Sequence, residues 1–322
     1  MREASLRGSR VLVTGSAGVI GRELLVRLAE RGATILSVDR EPLPSRDAVD
    51  VEHLRMDLAE APLDRLREFG PEVVFHLAAA FERSLEAPEF WEQNWHDNTV
   101  VSHRMADLAA RTECVRAVVF ASSYLVYRPS LYLFPEPRET PAFLKENDPI
   151  APRNLCGGAK AYAESELDFV REVVRRDLRI VHARIFRSYG CGSRDVISRW
   201  VRAALASEPI DAFNPEGRFA YVFAGDVADG LRRLAECEEA AGPVNLALGR
   251  SRSVREVLDV VGRLAPGALD RVRSGESRGP YEASGADLSR LRRLTGWEPS
   301  TDLEEGIARV VEHEAARRRG GS

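Results

Sequence analysis

The chain has 322 residues, 46 basic against 50 acidic side chains, and a net charge of −4. It is long enough to bury a sizeable core as one large domain or two closely joined ones. It contains no basic block suited to a nucleic-acid surface, no apolar run of the roughly 18 residues that a bilayer span needs, and no signal-peptide stretch in its opening MREASLRGSR. The expectation is a cytoplasmic protein whose partners are small molecules or proteins, with no nucleic acid and no membrane. Its four cysteines, Cys114, Cys156, Cys191 and Cys237, form neither a CxxC pair nor a cluster with histidine, so reduced thiols and no metal site are expected.

In chain order, the first strand signal is VLVTG at 11–15, and it runs straight into TGSAGVIG. Gly15, Gly18 and Gly21 then sit at a strand-to-helix turn, where glycine permits close approach of backbone to a pyrophosphate. The helix that follows, 18–31, offers free N–H groups to the phosphates. Gly15, Gly18, Val19, Ile20 and Gly21 are therefore candidate cofactor contacts. TILSVD at 34–39 ends on Asp39, where a carboxylate accepts hydrogen bonds from the adenosine ribose hydroxyls and repels a 2′-phosphate, so NAD is favoured over NADP. Arg40, next door, is the residue that complicates that choice.

VVFHLA (73–78), AVVFASS (117–123) and RIVHARIF (179–186) are further short apolar runs, separated by helical patterns at about 90–112 and 158–176. Such alternation predicts buried parallel strands in βαβ units, hence an α/β fold with a Rossmann-type doubly wound parallel sheet. The segment 128–153 carries six prolines around LYLF, which excludes regular helix or central strand and leaves an ordered loop or lid. Helices are predicted near 194–206, 225–238, 253–264 and 302–318, with a strand VNLAL at 244–248.

Read together, these segments resemble the extended short-chain dehydrogenase/reductase family of nucleotide-sugar epimerases and dehydratases. MDL at 56–58 is similar to the family's adenine-contacting segment (Asp57, Leu58), and HLAAA at 76–80 to its fourth-strand cofactor motif (Leu77, Ala78, Ala79). DNTVV supplies the structural asparagine, Asn98. ASSYLVY resembles SSxxVY, RIFRSYGCG resembles RxxNxYGPG, and ADLSRLRRLTGWEPSTDLEEGI resembles the C-terminal signature. The resemblance implies residues 1–186 as an NAD-binding domain to which 225–248 returns, and 187–322 as mainly the substrate-binding part. It further implies a nucleoside diphosphate sugar as substrate, transient oxidation to a keto-sugar as mechanism, and a homodimer built on the helices near 90–112 and 158–176.

Residue by residue, the resemblance places the hydroxyl that bonds the reacting oxygen on Ser123 and the lysine that holds the nicotinamide ribose on Lys160. Lys160 is one of only two lysines in the chain, beside 44 arginines, and arginine is a poor substitute for a compact ammonium in a proton relay. The tyrosine of YxxxK falls on Cys156. Three readings stay open there: a thiol that ionises beside Lys160 and acts as base, another residue taking over, of which Tyr124 is the best candidate, or a site that binds without turnover. Related dehydratases carry a glutamate where this chain has Leu125, which favours epimerisation over elimination or decarboxylation. Arg187 stands where the family has asparagine, suited to a diphosphate or a sugar carboxylate, and Arg218 matches the diphosphate clamp. A nucleotide-sugar dehydrogenase or decarboxylase, and a non-catalytic NAD- or sugar-nucleotide-binding protein, remain as alternatives.

Overall fold

The computed structural model describes residues 5–44, 51–80, 88–275 and 280–320. Seven strands, β1 (Arg10–Thr14), β2 (Thr34–Asp39), β3 (Glu52–Arg55), β4 (Val73–His76), β5 (Ala117–Ser123), β6 (Arg179–Ile185) and β7 (Gly242–Leu246), form one sheet in the order β3-β2-β1-β4-β5-β6-β7. Every adjacent pair is parallel. The order reverses between β1 and β4, and such a switch point opens a crevice at the carboxyl ends of the strands. β7 lies two residues earlier than its expected span, and β3 has no counterpart among the expected strands because EHLR has no apolar run. As an edge strand it needs none, and all four of its residues are exposed or half-buried.

Alternation along the strands divides the core. Val11, Val13 and Val119 face α1 (Val19–Glu30), while Leu12, Val74 and Val118 face α2 (Val101–Arg111) and α3 (Leu155–Phe169). On the first face α1 packs with α4 (Ala224–Glu236), through Leu24 and Leu28 against a layer that includes Val227 and Leu231. Each fully buried leucine there contributes roughly 1.5–3 kcal/mol. A separate core of Tyr189, Ile197, Trp200, Val257, Ile307 and Val310 holds much of the C-terminal part. Among the described residues, no helix is long and apolar enough to cross a membrane.

Three local features prepare the site. A wide π-turn over Trp95–Val100 precedes α2 and turns Asn98 inward, where it is buried. α3 starts at Leu155, three residues before its expected start, because the Asn154 side chain caps it by accepting from the Gly157 N–H at 2.8 Å. The proline-rich segment 128–153 forms a short 3₁₀ turn and two very short strands. Leu133–Phe134 pairs with Tyr281–Glu282, and Ala142–Leu144 with Ser284–Ala286. Fully buried Tyr132 and Leu144 anchor it.

Candidate active site

At the carboxyl ends of β1, β2 and β4 lies a cleft of about 530 Å³. Gly15 turns the chain there with φ +71°, and a Cβ on it would lie 2.6 Å from the Ala78 nitrogen, so only glycine lets the two backbones meet. No side chain caps α1 at Gly18, and its first turn has no acidic residue, so the N–H groups at that end are left for an anion. The buried Ser16 hydroxyl has no partner. Asp39 is aimed into the cleft by accepting from the Ala17 N–H at 2.9 Å and the Glu41 N–H at 3.0 Å. Asp57 accepts from the Ala59 N–H at 2.9 Å. Glycine cradle, open helix end and cleft-lining carboxylate together fit an adenine dinucleotide.

Deeper in, Asn98 ties the cleft wall to α3. Its side chain donates to the Ala80 carbonyl at 2.9 Å and accepts from the Ala80 N–H at 2.8 Å. The Cys156 thiol donates to the same carbonyl at 3.4 Å, and Asn98 lies 3.9 Å from its sulfur. One turn further along α3, buried Lys160 has its Nζ 4.7 Å from the centre of the Phe120 ring. Burial pushes its ammonium down to about 8, against smaller opposing effects of Cys156 and Glu164. Behind it, His76 stacks on Phe120 and hydrogen-bonds Thr14 and Ser102. Burial, with Lys160 adding, pushes His76 down to about 3, so it is neutral.

Ser123 ends β5 and accepts from the Leu125 N–H at 3.2 Å, which starts a 3₁₀ turn at Tyr124–Val126. α3 reaches this turn because Gly157 has no side chain: a Cβ there would stand 2.6 Å from the Leu125 carbonyl. Tyr124 is buried, stacked on Phe186 at 4.9 Å. Burial raises its phenol above the ordinary value; Arg187 opposes this and Glu282 adds to it. Around it, Arg153 donates to buried Glu282 at 2.8 Å, and Arg187 lies 3.6 Å from the same carboxylate and 3.9 Å over the Phe219 ring. The Arg187 Nε is buried without a hydrogen-bond partner. Arg218, beside Phe219, pairs with Glu256 at 3.1 Å.

Of the expected cofactor residues, Gly15, Gly18, Val19, Asp39, Arg40, Asp57, Leu58, Leu77, Ala78 and Ala79 line the cleft. Ile20 instead packs against the core and Gly21 is buried in α1, while Asn98 and Lys160 are buried and are not among the residues that line this cleft. Sequence reasoning missed Arg22, Gln93, Asp97 and Gly192–Arg194, which also line it. Arg22 sits in α1 just past the glycine turn and donates to the Cys191 carbonyl at 2.9 Å. That contact closes over 169 residues of sequence, and no local pattern reveals it. Glu282 and Arg153 were likewise unmarked, one lying next to the C-terminal signature and the other in the proline-rich segment.

The sequence pattern of the NAD dependent epimerase/dehydratase family matches residues 11–247. The chain is 33% identical over 321 residues to a UDP-glucose 4-epimerase of Mycolicibacterium smegmatis, spanning 94% of this chain and 97% of that protein. It is 27% identical to UDP-glucuronic acid decarboxylase 2 of Arabidopsis thaliana, across 95% of this chain and 68% of that protein. Among solved structures, the UDP-glucose 4-epimerase of Thermus thermophilus in complex with NAD superposes with a TM-score of 0.81 at 26% identity, covering 95% of this chain and 99% of that one.

Proposed function

Because the chain belongs to the NAD-dependent epimerase/dehydratase family, we propose that it is a nucleotide-sugar epimerase that oxidises a sugar hydroxyl to a transient ketone and reduces it again from the other face. The observation that carries this reading is Lys160, a buried cation on α3 at the position where the family keeps its lysine, in a chain whose glycine cradle suits NAD. NAD bound there supplies the hydride acceptor and, once reduced, the hydride donor. Residues 1–186 with 225–248 form the cofactor part in this reading, and 187–322 mainly the substrate part.

Ser123 bonds the reacting oxygen, Lys160 holds the nicotinamide ribose, and an acid–base partner exchanges the proton of the sugar hydroxyl. Tyr124 is that partner in preference to Cys156, whose thiol is turned onto the Ala80 carbonyl and Asn98. Arg187 and Arg218 bind the diphosphate. Buried Leu125 offers no proton, which weighs against decarboxylation. The second reading, a dehydrogenase or decarboxylase in which Arg187 holds a sugar carboxylate, draws support from the unpartnered Arg187 Nε.

Purified protein incubated with UDP-, GDP-, CDP- and dTDP-sugars is expected to yield a stereoisomer of one of them without net NADH, whereas accumulating NADH and a shorter sugar would favour the second reading. On the active sugar, Tyr124→Phe is expected to lower turnover by about 10²–10⁴-fold, the usual range for a lost acid–base group, and Cys156→Ser by less than about fivefold. The reverse ranking would assign the chemistry to the thiol.

We infer a homodimer from the outer faces of the helical stretches 88–111 and 155–174. Trp91 and Trp95 one turn apart, and Tyr162, Phe169 and Val173 at helical spacing, are each more than half exposed, and apolar groups this large cluster at interfaces. Light scattering is expected to give twice the chain mass, falling to a single chain in Phe169→Glu/Val173→Glu. A wild-type monomer at micromolar concentration would refute the interface.

A further inference from the structure

An arginine directly after the acidic residue that ends β2 is where a dinucleotide site would grip a 2′-phosphate, and Arg40 lines the cleft beside Asp39. Its guanidinium is already committed. Nη1 and Nη2 donate to the two carboxylate oxygens of Asp97 at 2.9 and 3.0 Å, a fork-to-fork pair, and Asp57 lies 3.8 Å from Nη1. Asp97 is itself held. It is buried, hydrogen-bonded to the His96 ring at 2.8 Å, and receives the Gln93 amide at 3.4 Å. Its place in the π-turn, next to inward-turned Asn98, fixes the backbone from which it reaches across the cleft.

From this geometry we infer that Asp97 is a specificity-determining residue for the cofactor: by engaging both outer nitrogens of Arg40 it withholds the guanidinium edge that a 2′-phosphate needs. Asp39 then acts as one barrier to NADP and the Asp97–Arg40 pair as a second, independent one. The pair also leaves this corner of the cleft negative, since Asp39, Asp57 and Asp97 all stand around Arg40. A doubly charged 2′-phosphate entering there meets three carboxylates and a guanidinium that is already paired. NAD, which presents only ribose hydroxyls, avoids that repulsion.

Binding of NAD and NADP to the purified full chain, followed by calorimetry and by the shift in melting temperature, tests this without reference to turnover. The wild type is expected to bind NADP at least about 100-fold more weakly than NAD, and Asp39→Ser alone to strengthen NADP by no more than about threefold. Adding Asp97→Asn, which keeps the shape and loses the charge, is expected to strengthen NADP by a further factor of about ten or more, the worth of one freed charge-assisted contact. Adding Arg40→Ala to that double variant is expected to abolish the gain. If Asp39→Ser alone gives the full gain, or if the gain survives loss of Arg40, Asp97 has no such role. Arg40→Ala in the otherwise native protein gives a check that leaves buried Asp97 in place: a withheld arginine leaves the NADP to NAD ratio unchanged, whereas a fall in NADP binding would mean that Arg40 already serves the phosphate. Failure of the wild type to bind NAD at all would instead remove the dinucleotide reading of the cleft.

Discussion

Lys160→Met is expected to abolish turnover by about 10²–10⁴-fold while leaving the protein as stable as the wild type or more so. The two signs have one origin. Lys160 is buried on α3, its Nζ faces the Phe120 ring, and among the described residues no carboxylate lies within ion-pair distance of it. A buried ammonium without a salt-bridge partner is costly, and methionine fills nearly the same volume without the charge. A lysine kept there for structure would give the opposite stability result. The pH dependence follows from its ammonium being pushed down to about 8, below its ordinary value. Between about pH 8 and the unfolded value of about 10.5 the unfolded chain binds more protons than the folded one, so stability rises with pH across that window. In urea titrations the wild-type midpoint should climb from about pH 8 to about pH 10 by an increment absent from Lys160→Met. Turnover that depends on the cation should fall through the same region, near the folded value of about 8. Lys160→Arg should not restore it, because a guanidinium is larger, stays charged, and cannot exchange its proton in this range.

The sheet was legible because its strands are buried on both faces and therefore spell continuous apolar runs, as VLVT and AVVFAS do. Where burial relaxes, legibility goes with it: Glu52–Arg55, half-exposed at the sheet edge, has no such run. The short strand pairs that knit 133–144 to 281–286 are fixed by tertiary contacts alone, and the prolines of that segment signal only that no regular element can continue. In the site, residues whose role is local were readable. Gly15 must turn the chain at a positive φ, and Asp39 must follow β2 at its end, so spacing along the sequence carries both. Asp97, Arg153 and Glu282 work through partners that are 57 to 129 residues away, and nothing in their neighbourhoods distinguishes them from surface charges. The substitution at Cys156 was visible from the sequence, but the direction of its thiol was not. That direction depends on Asn98, which a π-turn delivers from another helix.

Glu164→Ala is expected to destabilise the fold by about 3–5 kcal/mol, the range for stripping one partner from a buried ion pair. Glu164 stands one turn after Lys160 on α3, and Arg184 stands on β6; both are almost wholly buried. The guanidinium donates twice to the carboxylate, at 3.0 and 2.7 Å, and the Ser122 hydroxyl donates to it at 2.5 Å. Arg184 also donates to the Glu146 carbonyl at 2.9 Å and lies 4.8 Å over the Tyr127 ring. Tyr127 in turn donates to Asn245 on β7 at 2.6 Å, and Asn245 to the Leu144 carbonyl at 2.9 Å. One carboxylate thus anchors a chain of contacts through α3, β5, β6, β7 and the proline-rich segment. Its removal leaves a guanidinium buried without its counter-charge, in a protein whose whole stability is of order 5–15 kcal/mol. The ion pair itself need not be a net gain over apolar packing. Replacing both members together, as in Glu164→Leu/Arg184→Met, should therefore recover most of the loss, and a double-mutant cycle on urea midpoints measures the coupling. A single Glu164→Ala variant as stable as the wild type would show that water reaches Arg184 and that the network does not hold the proline-rich segment on the sheet. Recovery in the double variant without recovery of turnover would place the purpose of the pair in aligning α3, and with it Lys160, against the end of β5 where Ser123 stands.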